Sequence, residues 1–270
     1  MEGYSITDHE FAQFQGMLAR IAGINLSPAK KTLLCGRLAK RLQHCQVSSY
    51  GEYFKLLASG KQNGELQVAV DLLTTNETYF FREPKHFEIL RDRIIAERRP
   101  GATLRIWSAA CSSGEEPYSL AMLLADRIGD MGWEIVASDI SSRVLQKARS
   151  GHYVLDRSSN IPPDYLARYC LKGVGSQAGT FLVDKRLRSK IGFKQVNLNT
   201  PLPSLGEFDV IFLRNVMIYF NLETKREVVS RLLSTLRPGG YFIVGHSESL
   251  NGVTDTLTAV APSVYRKPAR

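Results

Sequence analysis

Along the first part of the chain the apolar positions recur at helical spacing, in residues 11–24, 33–45, 53–58 and 67–73, so each stretch gathers hydrophobic side chains on one face. This predicts an all-helical amino-terminal domain over residues 1–75, then a linker and connecting helix over 76–100. Ser27-Pro28 reads as a cap with proline at the first helical position, which places a helix start there. From residue 103 the period changes. Short β-branched runs (TLRIWSA, EIVASDI, IGFKQVNL, FDVIFLRN, GGYFIVG) alternate with helical stretches, among them 115–128 and 222–236. Strands alternating with helices predict a parallel α/β sheet wound by right-handed crossovers, over residues 101–270. Residues 152–190 interrupt the alternation with Ile161-Pro162-Pro163, Gly173, Gly175 and Gly179, which predicts an inserted subdomain with a hairpin around GVGSQAG.

An open parallel sheet binds ligands at the carboxyl ends of its strands, so the residues placed there carry the functional signal. After the first strand comes SAACSSGEEPYS, residues 108–119; the next ends carry Asp139, then Asn197-Leu198, then Arg214-Asn215. Asp139 closes the second strand, where an acid accepts both hydrogen bonds of a ribose diol; capping the following helix is the plainer alternative, although Ser141 serves that purpose equally well. Gly114 is the only glycine of its loop. Glu115 and Glu116 suit the positive end of a helix but would repel a pyrophosphate, which points to a cofactor with cationic groups, such as the ammonium and sulfonium of S-adenosylmethionine. Sequence leaves open which of the two acids makes that contact.

Charge and composition narrow the classes. The net charge is +9, yet residues 11–51 hold Arg20, Lys30, Lys31, Arg37, Lys40 and Arg41 with no acid, which indicates an anionic partner. Stepping 100° per residue from Arg37 puts Lys30, Lys40, Arg41 and His44 on one helical face, with Leu34, Leu38, Leu42 and Cys45 on another. No apolar run is long enough to span a bilayer, and no secretory leader opens the chain, so a cytoplasmic, non-inserted protein is expected. The four cysteines form no C-x-x-C pair and the five histidines show no ligand spacing, so no metal site is expected.

LRPGGYFIVG, residues 236–245, is a helix stop, a turn and a strand; it resembles the corresponding segment of many S-adenosylmethionine-dependent methyltransferases. TTNETYFFRE (residues 74–83) and LRNVMIYF (213–220), with SAACSSGEEPYS and ASDI, resemble the chemotaxis receptor methyltransferases, the CheR family, over essentially the whole chain. The resemblance implies a Rossmann-like class I methyltransferase sheet with an all-helical amino-terminal domain and a small inserted β-subdomain. It implies transfer of a methyl group from S-adenosylmethionine, leaving S-adenosylhomocysteine, to glutamate side chains on the cytoplasmic helices of chemoreceptors. Family cofactor contacts match at Asn76, Thr78, Arg82, Glu116, Asp139, Asn197, Leu198, Arg214 and Asn215. For these, Arg82 is expected at the cofactor carboxylate, Glu116 at its ammonium and Asn197 at an adenine edge.

Arg82 and Tyr219 are the candidates for orienting the incoming carboxylate. The plainer accounts are a linker cap for Asn76 and Thr78, an ion pair with Glu83 or Glu88 for Arg82, and a core tyrosine for Tyr219. Arg37, Lys40 and Arg41 are the expected receptor-docking residues, with a solvated face as the alternative. In some members of the family the inserted subdomain grips a receptor carboxyl-terminal tail by strand addition. A monomer is expected. Competing functions are methylation of nucleic acid, against which no aromatic residues interleave the basic stripe, and a non-catalytic cofactor-binding scaffold.

Overall fold

The computed structural model describes residues 4–98 and 101–269, so the expected domain limits at 1, 100 and 270 lie outside the described residues. The chain divides into two units: the described residues up to Thr75 with Tyr219–Lys225, and Asn76–Ile218 with the described residues from Arg226 on.

In the first unit the helical spacing folds as α1 (Asp8–Ala22), α2 (Lys31–His44), α3 (Tyr50–Ser59) and α4 (Glu65–Leu73). Thr7 and Glu10 form a reciprocal capping box at the start of α1, which satisfies two amide groups that the helix leaves open. Ser27-Pro28 does start a helical turn, but Pro28–Lys30 is 3₁₀ and Ser27 makes no side-chain cap bond; the α geometry begins at Lys31. Leu34, Leu38 and Leu42, the apolar face of α2, are fully buried against a core that includes Phe14, Tyr50 and Tyr53.

The second unit opens with α5 (Pro84–Ile89), continued by a single π turn over Leu90–Ile94. Then follow β1 (Leu104–Ser108), α6 (Glu115–Ile128), β2 (Trp133–Asp139), α7 (Ser142–Ser150), β3 (His152–Val154), α8 (Pro163–Tyr169), β4 (Cys170–Lys172), β5 (Thr180–Val183), α9 (Lys185–Arg188), β6 (Ile191–Gln195) and β7 (Phe208–Leu213). The chain closes with α10 (Leu222–Leu233), whose first turn counts with the helical unit, β8 (Leu236–Val244), β9 (Thr258–Ala261) and β10 (Val264–Arg266). Seven strands form one sheet in the order β6-β2-β1-β7-β8-β10-β9. The first five are parallel, and β10 and β9 close the edge antiparallel. Strand order reverses between β1 and β7, which is where such a sheet opens a crevice.

The insertion is a three-stranded antiparallel sheet, β3-β5-β4, and the GVGSQAG loop does connect a hairpin, β4 to β5. Pro238-Gly239-Gly240 departs from expectation. These residues lie within β8, where the register against β7 slips between Phe208 and Val210, so the glycines make a bulge rather than a turn before the strand. Asp209, opposite the bulge, binds Arg237 at 2.9 Å. Among the described residues no helix is long and apolar enough to cross a membrane.

Candidate active site

Four amides of the loop after β1 are bonded within the protein itself. Ala109 N donates to Phe212 O, Cys111 N to Ser138 O, Ser112 N to Asp139 Oδ2 and Gly114 N to Cys111 O, all at 2.8–3.0 Å. A phosphate nest needs converging free amides, and these four are committed. Gly114 is required for a different reason: its φ is +96°, and an added Cβ would lie 2.9 Å from both the Tyr153 hydroxyl and the Ala148 Cβ. The glycine lets α6 pack against α7 and β3.

Asp139 is buried, and its two oxygens accept from Ser112 N and Ser141 N at 2.9 Å each, so the acid pins both the loop and the start of α7. Ser141, as expected, caps α7. A carboxylate has about four acceptor positions, so anchoring the backbone and binding a ribose diol are compatible.

The adjacent acids diverge. Glu115 is fully buried, bonded to Ser113 Oγ at 2.7 Å and to Arg157 Nη1 at 3.2 Å, and burial raises its pKa. Glu116 instead faces the strand ends: Oε1 accepts from Ser108 Oγ and Oε2 from Arg214 Nη1, both at 2.7 Å. Arg214 follows β7 and is the hub of the site. Its Nη2 donates to Glu83 Oε2 at 2.9 Å and to the carbonyl of Arg82, so one guanidinium ties together α6, β7 and the start of α5. Asn215, at φ +56°, donates Nδ2 to Glu83 Oε1 at 3.2 Å and its amide to Glu248 Oε2 at 2.8 Å. Burial would raise Glu83, but the Arg214 hydrogen bond and charge outweigh it and hold the carboxyl at about 2.

The linker segment completes this wall. Asn76 O accepts from Ser112 Oγ at 2.9 Å; buried Thr78 gives its carbonyl to Arg157 Nη1 at 2.7 Å. Arg82 does not pair with Glu83 or Glu88. Its Nη1 donates to Glu77 O at 2.9 Å, its guanidinium lies 5.6 Å from the Tyr79 ring centroid, and it has no ion pair to an acid among the described residues. Asn197 is half-buried, with Oδ1 accepting from Asn199 N at 3.0 Å, and buried Leu198 gives its carbonyl to Arg231.

The expected cofactor residues of the second unit thus lie along one sheet edge, and three further residues bond to them: Glu83, which the sequence suggested only as a partner of Arg82, and Glu248 and Arg157, which it did not single out. Backbone strain marks part of this set. Of six non-glycine residues with positive φ among those described, Phe81, Glu83, Ser112 and Asn215 lie here. Glu83, Glu115, Glu116, Asp139 and Glu248 outnumber Arg214 and Arg157 in this bonded set, and such an acidic cradle fits the ammonium and sulfonium of S-adenosylmethionine, not a pyrophosphate.

Tyr219 belongs to the helical unit, where its carbonyl accepts from Asn25 N at 2.7 Å and its ring is half-buried. The basic stripe of α2 needs correction. Arg41 forms a two-point fork with buried Glu65, at 2.9 and 2.6 Å, and the Tyr53 hydroxyl joins at 2.6 Å. Arg37 Nη1 donates to the carbonyls of Leu73 and Thr74 at 3.0 Å. The acid absent from the local sequence arrives from α4; of the three docking candidates Lys40 is exposed, and Arg37 and Arg41 are half-buried.

Comparison with known proteins agrees with this geometry. Residues 76–265 match the family described as "CheR methyltransferase, SAM binding domain", and residues 9–74 match "CheR methyltransferase, all-alpha domain". The chain is 40% identical over 267 residues to the chemotaxis protein methyltransferase of Escherichia coli, covering 98% of this chain and 92% of that protein. It is 41% identical to chemotaxis protein methyltransferase 2 of Pseudomonas aeruginosa, covering 97% and 94%. It is 36% identical to the chemotaxis protein methyltransferase of Borreliella burgdorferi, covering 97% and 95%. A sheet edge built for a cationic, phosphate-free cofactor and a full-length match in both domains have one common explanation: the chain belongs to the CheR family of S-adenosylmethionine-dependent methyltransferases.

Proposed function

We propose that this enzyme esterifies glutamate side chains on the cytoplasmic helices of chemoreceptors, acting as a monomer in the cytoplasm to adjust receptor signalling. The observation that carries this reading is the Arg214 hub, which fixes Glu83 and Glu116 at the edge where Asp139 also ends. Bound S-adenosylmethionine supplies an electrophilic methyl group on a sulfonium. Glu116 holds the ammonium of the amino-acid part, Asp139 the ribose, and Asn197 with Leu198 the adenine side. Arg214 and Asn215 set the position of Glu116 and of the wall formed by Glu83.

The incoming glutamate is already ionised at neutral pH, since its ordinary pKa is about 4.3, so the chain needs no strong base. What it must do is align the carboxylate and exclude water. Arg82 is suited to orientation because its guanidinium rests on a carbonyl and a ring rather than on an acid. Tyr219 is the second orienting group. A full ion pair would blunt the nucleophile, so a single hydrogen bond from Arg82 is the productive contact. Lys40 docks the acidic receptor helices. The receptor tail adds to an edge of the inserted sheet, where Leu171 is 58% exposed and Val174 77% exposed.

The test is to incubate the enzyme with methyl-labelled S-adenosylmethionine and receptor-containing membranes, then raise the pH and collect volatile label. Glutamate methyl esters release methanol. Label that stays bound after alkali would indicate a nitrogen or a base as acceptor, and cofactor binding without incorporation would indicate a scaffold; either result overturns the proposal.

A further inference from the structure

Linear spacing gives the histidines no ligand pattern, yet the fold brings His86 of α5 and His246, just after β8, edge to face with ring centroids 4.8 Å apart. Glu83 completes the group: its Oε2 lies 3.4 Å from His86 Nδ1, and one ligand atom from each residue lies within 4.8 Å of the others. His86 is fully buried, and neither ring nitrogen has a hydrogen-bond partner among the described residues. Leaving a buried polar group unpaired is unfavourable, so an imidazole left this way marks capacity for a ligand. His246 is exposed and gives the group an opening to solvent. Around it, the carboxylates of Glu83, Glu116 and Glu248 bond Arg214 or its neighbour Asn215, leaving excess negative charge for a cation to offset.

We propose that Glu83, His86 and His246 form a binding site for a borderline divalent transition-metal ion of the zinc type, and that filling it draws Glu83 away from Arg214. Two imidazoles and a carboxylate suit zinc, cobalt or nickel, whereas magnesium and calcium prefer all-oxygen shells. Metal–ligand bonds of about 2.0–2.2 Å require the three groups to close, and exposed His246 supplies that movement. The Glu83 oxygen nearest His86 is the one that accepts from Arg214 at 2.9 Å, so metal and guanidinium compete for it. Inhibition of methyl transfer by the metal follows, and this second half rests on the proposed function of the Arg214 hub.

The experiment uses the full chain stripped with a chelator. Calorimetric titration with zinc chloride should show saturable binding that weakens roughly tenfold or more in His246→Gln and in His86→Leu, while magnesium chloride gives no comparable heat. Cobalt chloride should produce visible ligand-field absorption in the parent chain that His246→Gln loses. Because His246 is exposed, His246→Gln should unfold thermally like the parent, which guards against loss of fold in the buried His86 variant. Absence of zinc binding, or wild-type zinc affinity in both variants, would overturn the site, the latter pointing instead to free thiols such as Cys35 and Cys45. Zinc that binds without slowing receptor methylation would overturn the competition for Glu83. Binding is read without substrate, so failure of the site leaves receptor methylation standing, and failure of receptor methylation leaves the binding result standing.

Discussion

Single side chains at the sheet edge divide into those that hold the loop and those proposed to meet the cofactor. Glu115 and Glu116 are neighbours in sequence with opposite surroundings: one is sealed with Ser113 and Arg157, the other shares Ser108 and Arg214 at the strand ends. A charge-assisted hydrogen bond contributes about 1.5–3 kcal/mol, so Glu116→Gln should weaken S-adenosylhomocysteine binding by roughly tenfold or more, read by calorimetry. Glu115→Gln should leave that affinity within about a factor of three, because Glu115 is buried against Ser113 and Arg157 and does not share the Ser108–Arg214 contacts at the strand ends. Equal losses in the two variants would mean that the assignment of the ammonium contact to Glu116 is wrong. Asp139→Ala should lower both affinity and thermal stability, since the same carboxylate anchors Ser112 N and Ser141 N. A variant with weakened binding and an unchanged Tm would mean that those two anchors contribute nothing. At Gly245 the constraint is space alone: an added Cβ would sit 2.5 Å from Asn215 Nδ2 and 2.9 Å from Glu248 Oε2.

Helix α2 illustrates how far a sequence pattern carries an element. Its apolar face, Leu34-Leu38-Leu42, was legible from spacing alone and is buried as the period requires. Its polar face was not, because Glu65 lies on another helix and nothing local to Arg41 announces it. The same limit hid Glu83, which meets Arg214 and Asn215 from 131 and 132 residues away, and the β8 bulge, whose register depends on the opposite strand. Strand ends were legible because parallel topology fixes where they point, while pairings between them depend on the closed fold. The Arg41–Glu65 fork has a measurable consequence. Burial pushes the Glu65 pKa up, but the hydrogen bonds from Arg41 and Tyr53 outweigh it, so the folded value lies below the ordinary one. Its stabilisation is therefore full above the unfolded pKa of about 4.3 and is lost as pH falls through the lower folded value. In Arg41→Ala the desolvated acid loses its main partner and its folded pKa rises, so that variant gains stability on protonation. Thermal unfolding of the full chain should show Arg41→Ala destabilised by about 1–3 kcal/mol at neutral pH, with the gap to the parent narrowing as pH drops below about 4. A gap that is constant with pH would mean that the fork is not what holds Glu65 ionised.

Across the whole molecule the charge of +9 is distributed differently from what the acid-free run implies. Residues 1–75 contain eight Lys and Arg against six Asp and Glu, and Lys31, Arg37 and Arg41 are bonded to Asp8, to helix-end carbonyls and to Glu65. Lys30 and Lys40 remain as exposed positive charges of the stripe, so under the proposed function the steering of an acidic receptor helix would fall to them. Exposed charges act at long range only while salt leaves them unscreened, over about 10 Å at 0.1 M ionic strength and about 3 Å at 1 M. Each such charge is worth about 0.2–1 kcal/mol. The double variant Lys30→Ala, Lys40→Ala should therefore lose roughly two- to thirtyfold in kcat/KM for receptor methylation at low salt, and should match the parent at high salt. Its affinity for S-adenosylhomocysteine and its Tm should not change, which separates docking from damage to the fold. Arg37→Ala makes the contrast: its guanidinium secures the end of α4, so its cost should fall on Tm and persist at high salt. If the lysine pair lost nothing at low salt, or lost as much at high salt, the acidic receptor helices would have to dock elsewhere on the chain, and the positive stripe of α2 would be a solvated face.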